Sequence, residues 1–144
     1  MQIEPYLFFD GQCEQALGFY QQCLGGRITA LHRYAGSPME DQLPPEWKEK
    51  VMHATLEAGG HRFMASDRMP GQPFGGHAGF SMSVNIPRDP VRGEQVFKAL
   101  SSGGMVTMPF ATTFWGAHFG MLVDKFGIGW MVNCDMSDPP AAAS

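Results

Sequence analysis

Hydrophobic and polar positions along the chain predict one order of elements that occurs twice. In the first half, an apolar run at residues 3–9 predicts a buried strand, and apolar residues at helical spacing over residues 12–24 predict a one-sided helix. A strand at residues 27–34 and a loop rich in proline and glycine at residues 35–50 follow. Two further short strands then form a hairpin around Gly59-Gly60, a turn sequence typical of hairpins.

The second half begins after residues 67–78, which contain two prolines and three glycines and have the composition of a linker. Residues 79–86 predict a strand. Asp89 is a favourable N-cap, and Pro90 a favourable first residue, for the helix that follows. A strand that begins at Met105 and a closing hairpin complete this half.

Two five-residue segments match each other at corresponding places in the two halves. Residues 25–29 read Gly-Gly-Arg-Ile-Thr and residues 103–107 read Gly-Gly-Met-Val-Thr, and each segment follows a predicted helix and opens a strand. The match predicts two copies of a strand-helix-strand-strand-strand unit. The predicted fold class is therefore α+β, with one domain over residues 1–136 that contains module one at about 1–68 and module two at about 79–135.

Composition and charge narrow the possible functions. The 144 residues are 44% hydrophobic and 17% charged, which suits one globular domain. A net charge of −4 argues against nucleic acid as a partner, and the sequence has no apolar run near the ~20 residues of a membrane span. The N-terminal residues lack the pattern of a signal peptide, so we expect a cytoplasmic protein. Residues 137–144 are small and polar and predict a disordered tail.

The most specific motif lies near the end of the chain. From Trp115 to Trp130 the sequence reads Trp-Gly-x-x-Phe-Gly-x-x-x-Asp-x-Phe-Gly-x-x-Trp and predicts a hairpin with strands at residues 114–123 and 128–134. This motif resembles the closing motif of the PhnB-like proteins, a branch of the vicinal oxygen chelate superfamily that includes glyoxalase I, bleomycin-resistance proteins and extradiol dioxygenases. Phe19-Tyr20 is similar to another landmark of the branch.

The resemblance implies two βαβββ modules whose mixed sheets curve around a central cavity. Some members of the branch are named demethylubiquinone methyltransferases. The sequence, however, has no glycine-rich strand-to-helix turn of the kind that holds S-adenosylmethionine.

Enzymes of the superfamily hold a divalent metal with four side chains. The matching positions in this sequence are Pro5, Met64, Phe80 and Met131. Such side chains do not hold hard divalent cations, so we expect no cofactor and an apolar cavity in place of the metal site. Strand alternation adds further positions to the same face. The predicted ligand-binding residues are Leu7, Phe9, Met64, Phe80, Met82, Trp115, Trp130, Met131 and Asn133.

These observations favour a glyoxalase/bleomycin-resistance-like protein that binds a small apolar or aromatic molecule. His53 and His118 are the candidate catalytic residues, because an imidazole can act as a general base or bind a metal. His32, His61 and His77 lie beside turns or loops and are expected at the surface.

The residues leave open whether the chain is an enzyme. One alternative is a metal-dependent lyase or dioxygenase with non-standard ligands such as His53 and His118, and another is a structural protein with a filled core. Eight short strands with exposed edges also predict a homodimer.

Overall fold

Two βαβββ modules make up the chain, as predicted, in a computed structural model that describes residues 1–137. Apart from Ser137, the predicted tail lies outside the described residues. Internal contacts divide the chain into a first unit, Met1–Gly76, and a second unit that begins at His77. Each unit has one four-stranded mixed sheet and one α-helix. Neither of these two helices has the length and hydropathy that a membrane-spanning helix requires.

The first unit packs its helix on one side of its sheet. Its elements are β1 (Tyr6–Phe9), α1 (Cys13–Leu24), β2 (Arg27–Arg33), β3 (Val51–Ala58) and β4 (His61–Asp67). The strand order is β1-β4-β3-β2, with β1 parallel to β4 and the other pairs antiparallel. The predicted apolar stripe of α1 is buried, and Gly25 ends the helix in the left-handed conformation at φ 72°.

The second unit repeats this order. Its elements are β5 (Met82–Asn85), α2 (Pro90–Ser101), β6 (Met105–Thr112), β7 (His118–Val123) and β8 (Gly129–Cys134), in the sheet order β5-β8-β7-β6. The Asp89 carboxylate caps α2, as predicted, by accepting a hydrogen bond from the Arg92 backbone N–H at 3.0 Å. The predicted strand at 114–123 begins four residues later, because residues 114–116 form the turn between β6 and β7.

The matched glycine pairs have the same role in both units. Gly25 and Gly103 adopt φ values of 72° and 75° after their helices. A Cβ atom on Gly26 would collide with the carbonyl oxygen of Glu57, and one on Gly104 would collide with that of Val123. Each pair therefore combines a left-handed helix end with a close approach to the neighbouring strand, which explains why the sequence repeats there.

Asp67, the last residue of β4, connects three elements of the first unit. Its side chain is buried, and Oδ1 accepts hydrogen bonds at 2.9 Å from the backbone N–H groups of Gly11 and Cys13, at the start of α1. Its Oδ2 accepts another at 2.9 Å from the N–H of Val51, at the start of β3. Burial, and secondarily the nearby Asp67 carboxylate, raise the pKa of the Cys13 thiol, so this cysteine stays protonated and unreactive.

Asp67→Asn should destabilise the protein by about 1–3 kcal/mol, because an amide has one acceptor oxygen where three buried N–H donors need two. Urea unfolding measures the change. Asp41→Asn, at an exposed position, is the matched control and should change stability by less than about 0.5 kcal/mol. Equal stability of the two variants would contradict the role given to Asp67.

Gly26→Ala should destabilise the protein by about 1–3 kcal/mol, because the added methyl group meets the backbone of β3. Gly18→Ala is the control, since a Cβ there has nothing within 4 Å and the position lies inside α1. This control should stabilise the protein by about 0.5–1 kcal/mol. Thermal unfolding of both variants tests the pair, and a stabilising Gly26→Ala would show that the close approach is absent.

Candidate functional site

Each sheet has one face packed against the helix of its own unit and one face turned away from that helix, here called the open face. In the first unit, the ring of Phe63 on β4 lies 6.2 Å from that of Tyr20 on α1, which marks the helix side. Paired residues on neighbouring strands share a face, as do alternate residues of one strand. The helix side therefore includes the buried residues Leu7, Phe9, Ala54, Leu56, Phe63 and Ala65. The open face includes Tyr6, Phe8, His53, Thr55, Met64 and Ser66.

The ring of Tyr6 contacts two other rings on this open face. The ring of Tyr6 lies 5.1 Å from that of Phe8 and 5.7 Å from that of His53, and its hydroxyl oxygen is 3.0 Å from His53 Nδ1. Met64 is paired directly with Tyr6 across the parallel strands. These four residues are called the Tyr6 cluster. Tyr6 is 38% exposed and Phe8 54% exposed, although both are large and mostly apolar.

The face predicted for Leu7 and Phe9 is wrong. Met64 is paired with Tyr6, whereas Leu7 is paired with Ala65 and Phe9 with Asp67, so both lie on the helix side, opposite to Met64. A shift of one residue moves every side chain of a strand to the other face. Pro5 precedes β1, and its carbonyl accepts a hydrogen bond from the Met64 backbone N–H at 3.0 Å.

In the second unit, Met131 and Asn133 lie on the open face. A Cβ on Gly120 would collide with the Phe97 ring of α2, so Gly120 and its pair Val132 are on the helix side. Met131 and Asn133 flank Val132 and point the other way. They are paired on the same face with Met121 and Phe119.

Met82 and Trp130 lie on the helix side instead, opposite to Met131. The two residues are paired with each other, and Trp130 Nε1 donates a hydrogen bond of 2.8 Å to Oδ2 of the buried Asp124. The prediction that Met82 shares the face of Met131 is therefore wrong. Phe80 precedes β5 and its ring lies 6.2 Å from that of His77.

Trp115 lies in the turn between β6 and β7. It contacts Phe114 edge-to-face at 4.8 Å, and both rings are exposed to solvent. The role of Trp115 in ligand binding stays a prediction.

The two candidate catalytic histidines have different surroundings. His53 belongs to the Tyr6 cluster on an open face. His118 is paired with the buried Cys134 on the helix side of the second sheet, where its ring lies 6.0 Å from that of Phe110 and Nε2 is 3.3 Å from Thr112 Oγ1. His118 therefore packs beside β6 on the helix side of its sheet, whereas His53 lies on an open face beside Tyr6.

The four positions that the resemblance matches to metal ligands of the superfamily have side chains unsuited to a hard divalent cation. Pro5, Met64, Phe80 and Met131 offer a pyrrolidine ring, two thioethers and a phenyl ring, and none has the oxygen or imidazole nitrogen that such ions prefer. Within residues 1–137, no group of three or more His, Cys, Asp or Glu side chains is arranged to hold a metal ion.

A polar cleft of about 310 Å³ lies elsewhere in the first unit, among α1, β2 and the loop before β3. Arg33 forms two hydrogen bonds with Glu14, at 2.8 and 3.0 Å, and they hold the pKa of the Glu14 carboxyl below its usual value. Lys50 Nζ donates to the Gly11 carbonyl at 3.0 Å. Because both cations already have partners within the chain, this cleft is a weaker candidate than the Tyr6 cluster.

Tyr6 and Phe8 are not among the candidates that the sequence predicts, and His32 is exposed, as predicted. A sequence signal for Tyr6 and Phe8 exists, because these two aromatic residues occupy alternate positions of β1 and so share one face of the strand. All four residues of β1 are apolar, however, so the pattern does not show which pair faces the helix. His32 becomes notable only through its partner on the neighbouring strand.

Comparison with known proteins agrees with this fold. The family model described as 3-demethylubiquinone-9 3-methyltransferase matches residues 1–133. Protein YjdN of Escherichia coli (strain K12) is 29% identical over 147 residues, which cover 96% of this chain and 99% of that protein. The crystal structure of PA1353 from Pseudomonas aeruginosa is 44% identical with a TM-score of 0.84, over 95% of this chain and 99% of that one.

Two further solved structures share the fold. The putative 3-demethylubiquinone-9 3-methyltransferase, PhnB protein, from Bacillus cereus is 27% identical with a TM-score of 0.76, over 95% of this chain and 100% of that one. A glyoxalase/bleomycin resistance protein/dioxygenase family enzyme from Burkholderia phytofirmans PsJN shares the fold at 13% identity and a TM-score of 0.61, over 91% of this chain and 95% of that one. Because the family model matches residues 1–133, the chain belongs to the 3-demethylubiquinone-9 3-methyltransferase family.

Proposed function

We propose that this glyoxalase/bleomycin-resistance-like protein binds a small, flat, aromatic or apolar molecule on the open faces of its sheets. The observation that carries the proposal is the Tyr6 cluster. The Tyr6 ring contacts those of Phe8 and His53, and Tyr6 and Phe8 are partly exposed. A flat ligand can stack on such rings while a polar atom bonds to the tyrosine or histidine.

The open face of the second sheet has matching chemistry. Met121 and Met131 are paired side by side there, and thioethers adapt to apolar ligands of different shapes. Asn133 Nδ2 donates to Asn85 Oδ1 at 3.0 Å, which adds a polar edge to this apolar surface. Both sheets thus present apolar, polarisable side chains with a few polar groups, the composition of a small-molecule site.

The methyl transfer in the family's name has no support from the local structure. The β1–α1 connection is Asp10-Gly11-Gln12, and residues 86–89, between β5 and α2, contain no glycine. S-adenosylmethionine and dinucleotide sites of the familiar kind use a glycine-rich turn between a strand and a helix. We therefore rest the proposal on ligand binding rather than on that reaction.

Catalysis at the same surface would depend on His53. With Nδ1 in a hydrogen bond to Tyr6, Nε2 is the nitrogen that can accept a proton from a bound ligand. A metal-dependent lyase or dioxygenase, with His53 and His118 as ligands, is the alternative, but the packing of His118 on the helix side of its sheet does not favour it.

We also propose that the protein forms a homodimer through the exposed edge of β6. β6 is an edge strand, and its residues Met105, Val106 and Met108 are exposed. An exposed apolar edge favours pairing with another copy of the chain.

Phe8→Ala should weaken binding of the aromatic probe 8-anilinonaphthalene-1-sulfonate about three- to tenfold, because one stacking ring is lost. The fluorescence of the probe, titrated against the protein, gives the dissociation constant. Phe114→Ala removes a ring that is 98% exposed and lies outside the cluster, and it should leave binding unchanged. If Phe114→Ala weakens binding and Phe8→Ala does not, the proposed surface is wrong.

Light scattering at micromolar concentration should give twice the chain mass of 15.8 kDa. Met108→Lys places a charge on the exposed edge of β6 and should shift the protein towards 15.8 kDa. Met136→Lys, at an exposed methionine beyond β8, is the control and should remain dimeric. A parent protein that is monomeric under these conditions would contradict the proposed assembly.

A further inference from the structure

Two histidines face each other across neighbouring strands on the open face of the first sheet. His32 on β2 is paired directly with His53 on β3, and their rings lie 6.5 Å apart with an interplanar angle of 21°. Side chains at directly paired positions start about 4.5–5.5 Å apart at Cβ, which is within the reach of two imidazoles that share one ion. β2 has irregular register on both sides of this pair, between Ile28 and Ala30 and between His32 and Arg33.

The hydrogen bonds of the pair leave metal-binding nitrogens available. His53 Nδ1 is 3.0 Å from the Tyr6 hydroxyl, whereas its Nε2 has no hydrogen bond to any residue in the part of the chain that the structure describes. His32 is exposed and likewise has no hydrogen bond within residues 1–137. In protein metal sites, the histidine nitrogen that does not bind the ion typically donates a hydrogen bond to an oxygen, which orients the ring. Tyr6 is placed to accept such a bond from His53.

The surrounding charges do not oppose a cation at this position. Arg33, the residue after His32, is turned towards α1, where it pairs with Glu14 at 2.8 Å. The nearest charged position along β3 on the same face is Glu57, four residues or about 13 Å from His53. An ion at the histidine pair would therefore meet two imidazoles and a phenol.

We propose that His32 and His53 bind one borderline transition-metal ion, such as Zn²⁺ or Ni²⁺, with Tyr6 as the hydrogen-bond partner that orients His53. Imidazole nitrogen is a preferred ligand of these ions, whereas Mg²⁺ and Ca²⁺ prefer oxygen ligands. The site's two ligands differ from the positions that the resemblance matches to the superfamily's metal ligands, which are Pro5, Met64, Phe80 and Met131. Two protein ligands leave coordination positions for water or for a ligand with oxygen atoms. The exposed His32 ring brings its nitrogen to the ion by rotating its side chain.

Calorimetric titration of the metal-free full chain with Zn²⁺ alone tests the proposal. We expect one ion per chain in the parent and at least a tenfold loss of affinity in both His32→Ala and His53→Ala. His61→Ala removes an exposed histidine at the start of β4 and should leave the affinity unchanged. Tyr6→Phe keeps both ligands but removes the orienting oxygen, so it should weaken binding about tenfold.

A second measurement identifies the nitrogens directly. Added Ni²⁺ is paramagnetic and should broaden the NMR signals of the His32 and His53 ring protons before those of His61 and His77. Equal affinity for Zn²⁺ in the parent and in the His32→Ala/His53→Ala double variant would overturn the proposal, as would broadening that begins at other histidines. Because these tests use the metal alone, a negative result would leave the proposed binding of an aromatic ligand untouched. A negative result with the aromatic probe would likewise leave the proposed metal site untouched.

Discussion

The hydrogen bonds of the buried Asp67 carboxylate are the interaction on which the first unit depends. They join the end of β4 to the start of α1 and to the start of β3. Asp67 is also paired with Phe9, and the Arg68 N–H donates to the Phe9 carbonyl at 2.7 Å, so the register of β1 is set at the same point. This register places Leu7 and Phe9 against the helix and exposes Tyr6 and Phe8. The exposure of Tyr6 and Phe8 therefore follows from the backbone register that forms beside Asp67.

The second unit uses a different carboxylate for a related purpose. Asp124 Oδ1 accepts hydrogen bonds from the N–H groups of Phe126 and Ile128 at 2.8 and 3.1 Å, which closes the turn between β7 and β8. Its Oδ2 holds the indole of Trp130 on the helix side. With Trp130 held there, alternation turns Met131 towards the open face. In both units, a buried acid that is fully hydrogen-bonded decides which side chains are presented.

Much of the fold could be predicted from the sequence, because the relevant signals are local. Helical spacing predicted α1 and α2, and the two Gly-Gly segments predicted the repeat, since each needs a left-handed residue followed by one without a side chain. The faces of the strands were harder. In β5 the alternation of Met82, Ser83, Val84 and Asn85 indicates that Met82 is on the buried side, whereas alternation counted from Phe80, which lies before the strand, predicts the opposite face. In β1 apolar and polar residues do not alternate, so only the pairing with β4 shows which side chains face the helix.

The candidate site depends on contacts that sequence position does not reveal. The distance from the Tyr6 hydroxyl to His53 Nδ1 spans three strands of the sheet, and the pairing of His32 with His53 depends on irregular register in β2. By contrast, the unsuitability of Pro5, Met64, Phe80 and Met131 as ligands follows from their side-chain chemistry alone. Residue type alone was therefore enough to judge the chemistry of these four positions. It was not enough to assign strand faces, because those depend on how the strands pair.

The central claim is that the open face of the first sheet, at Tyr6 and Phe8, receives an aromatic ligand. Intermolecular nuclear Overhauser effects between protein ring protons and bound 8-anilinonaphthalene-1-sulfonate measure this contact directly. The account predicts cross-peaks from the probe to the rings of Tyr6 and Phe8. Cross-peaks confined to Phe114 and Trp115, with none to Tyr6 or Phe8, would contradict it.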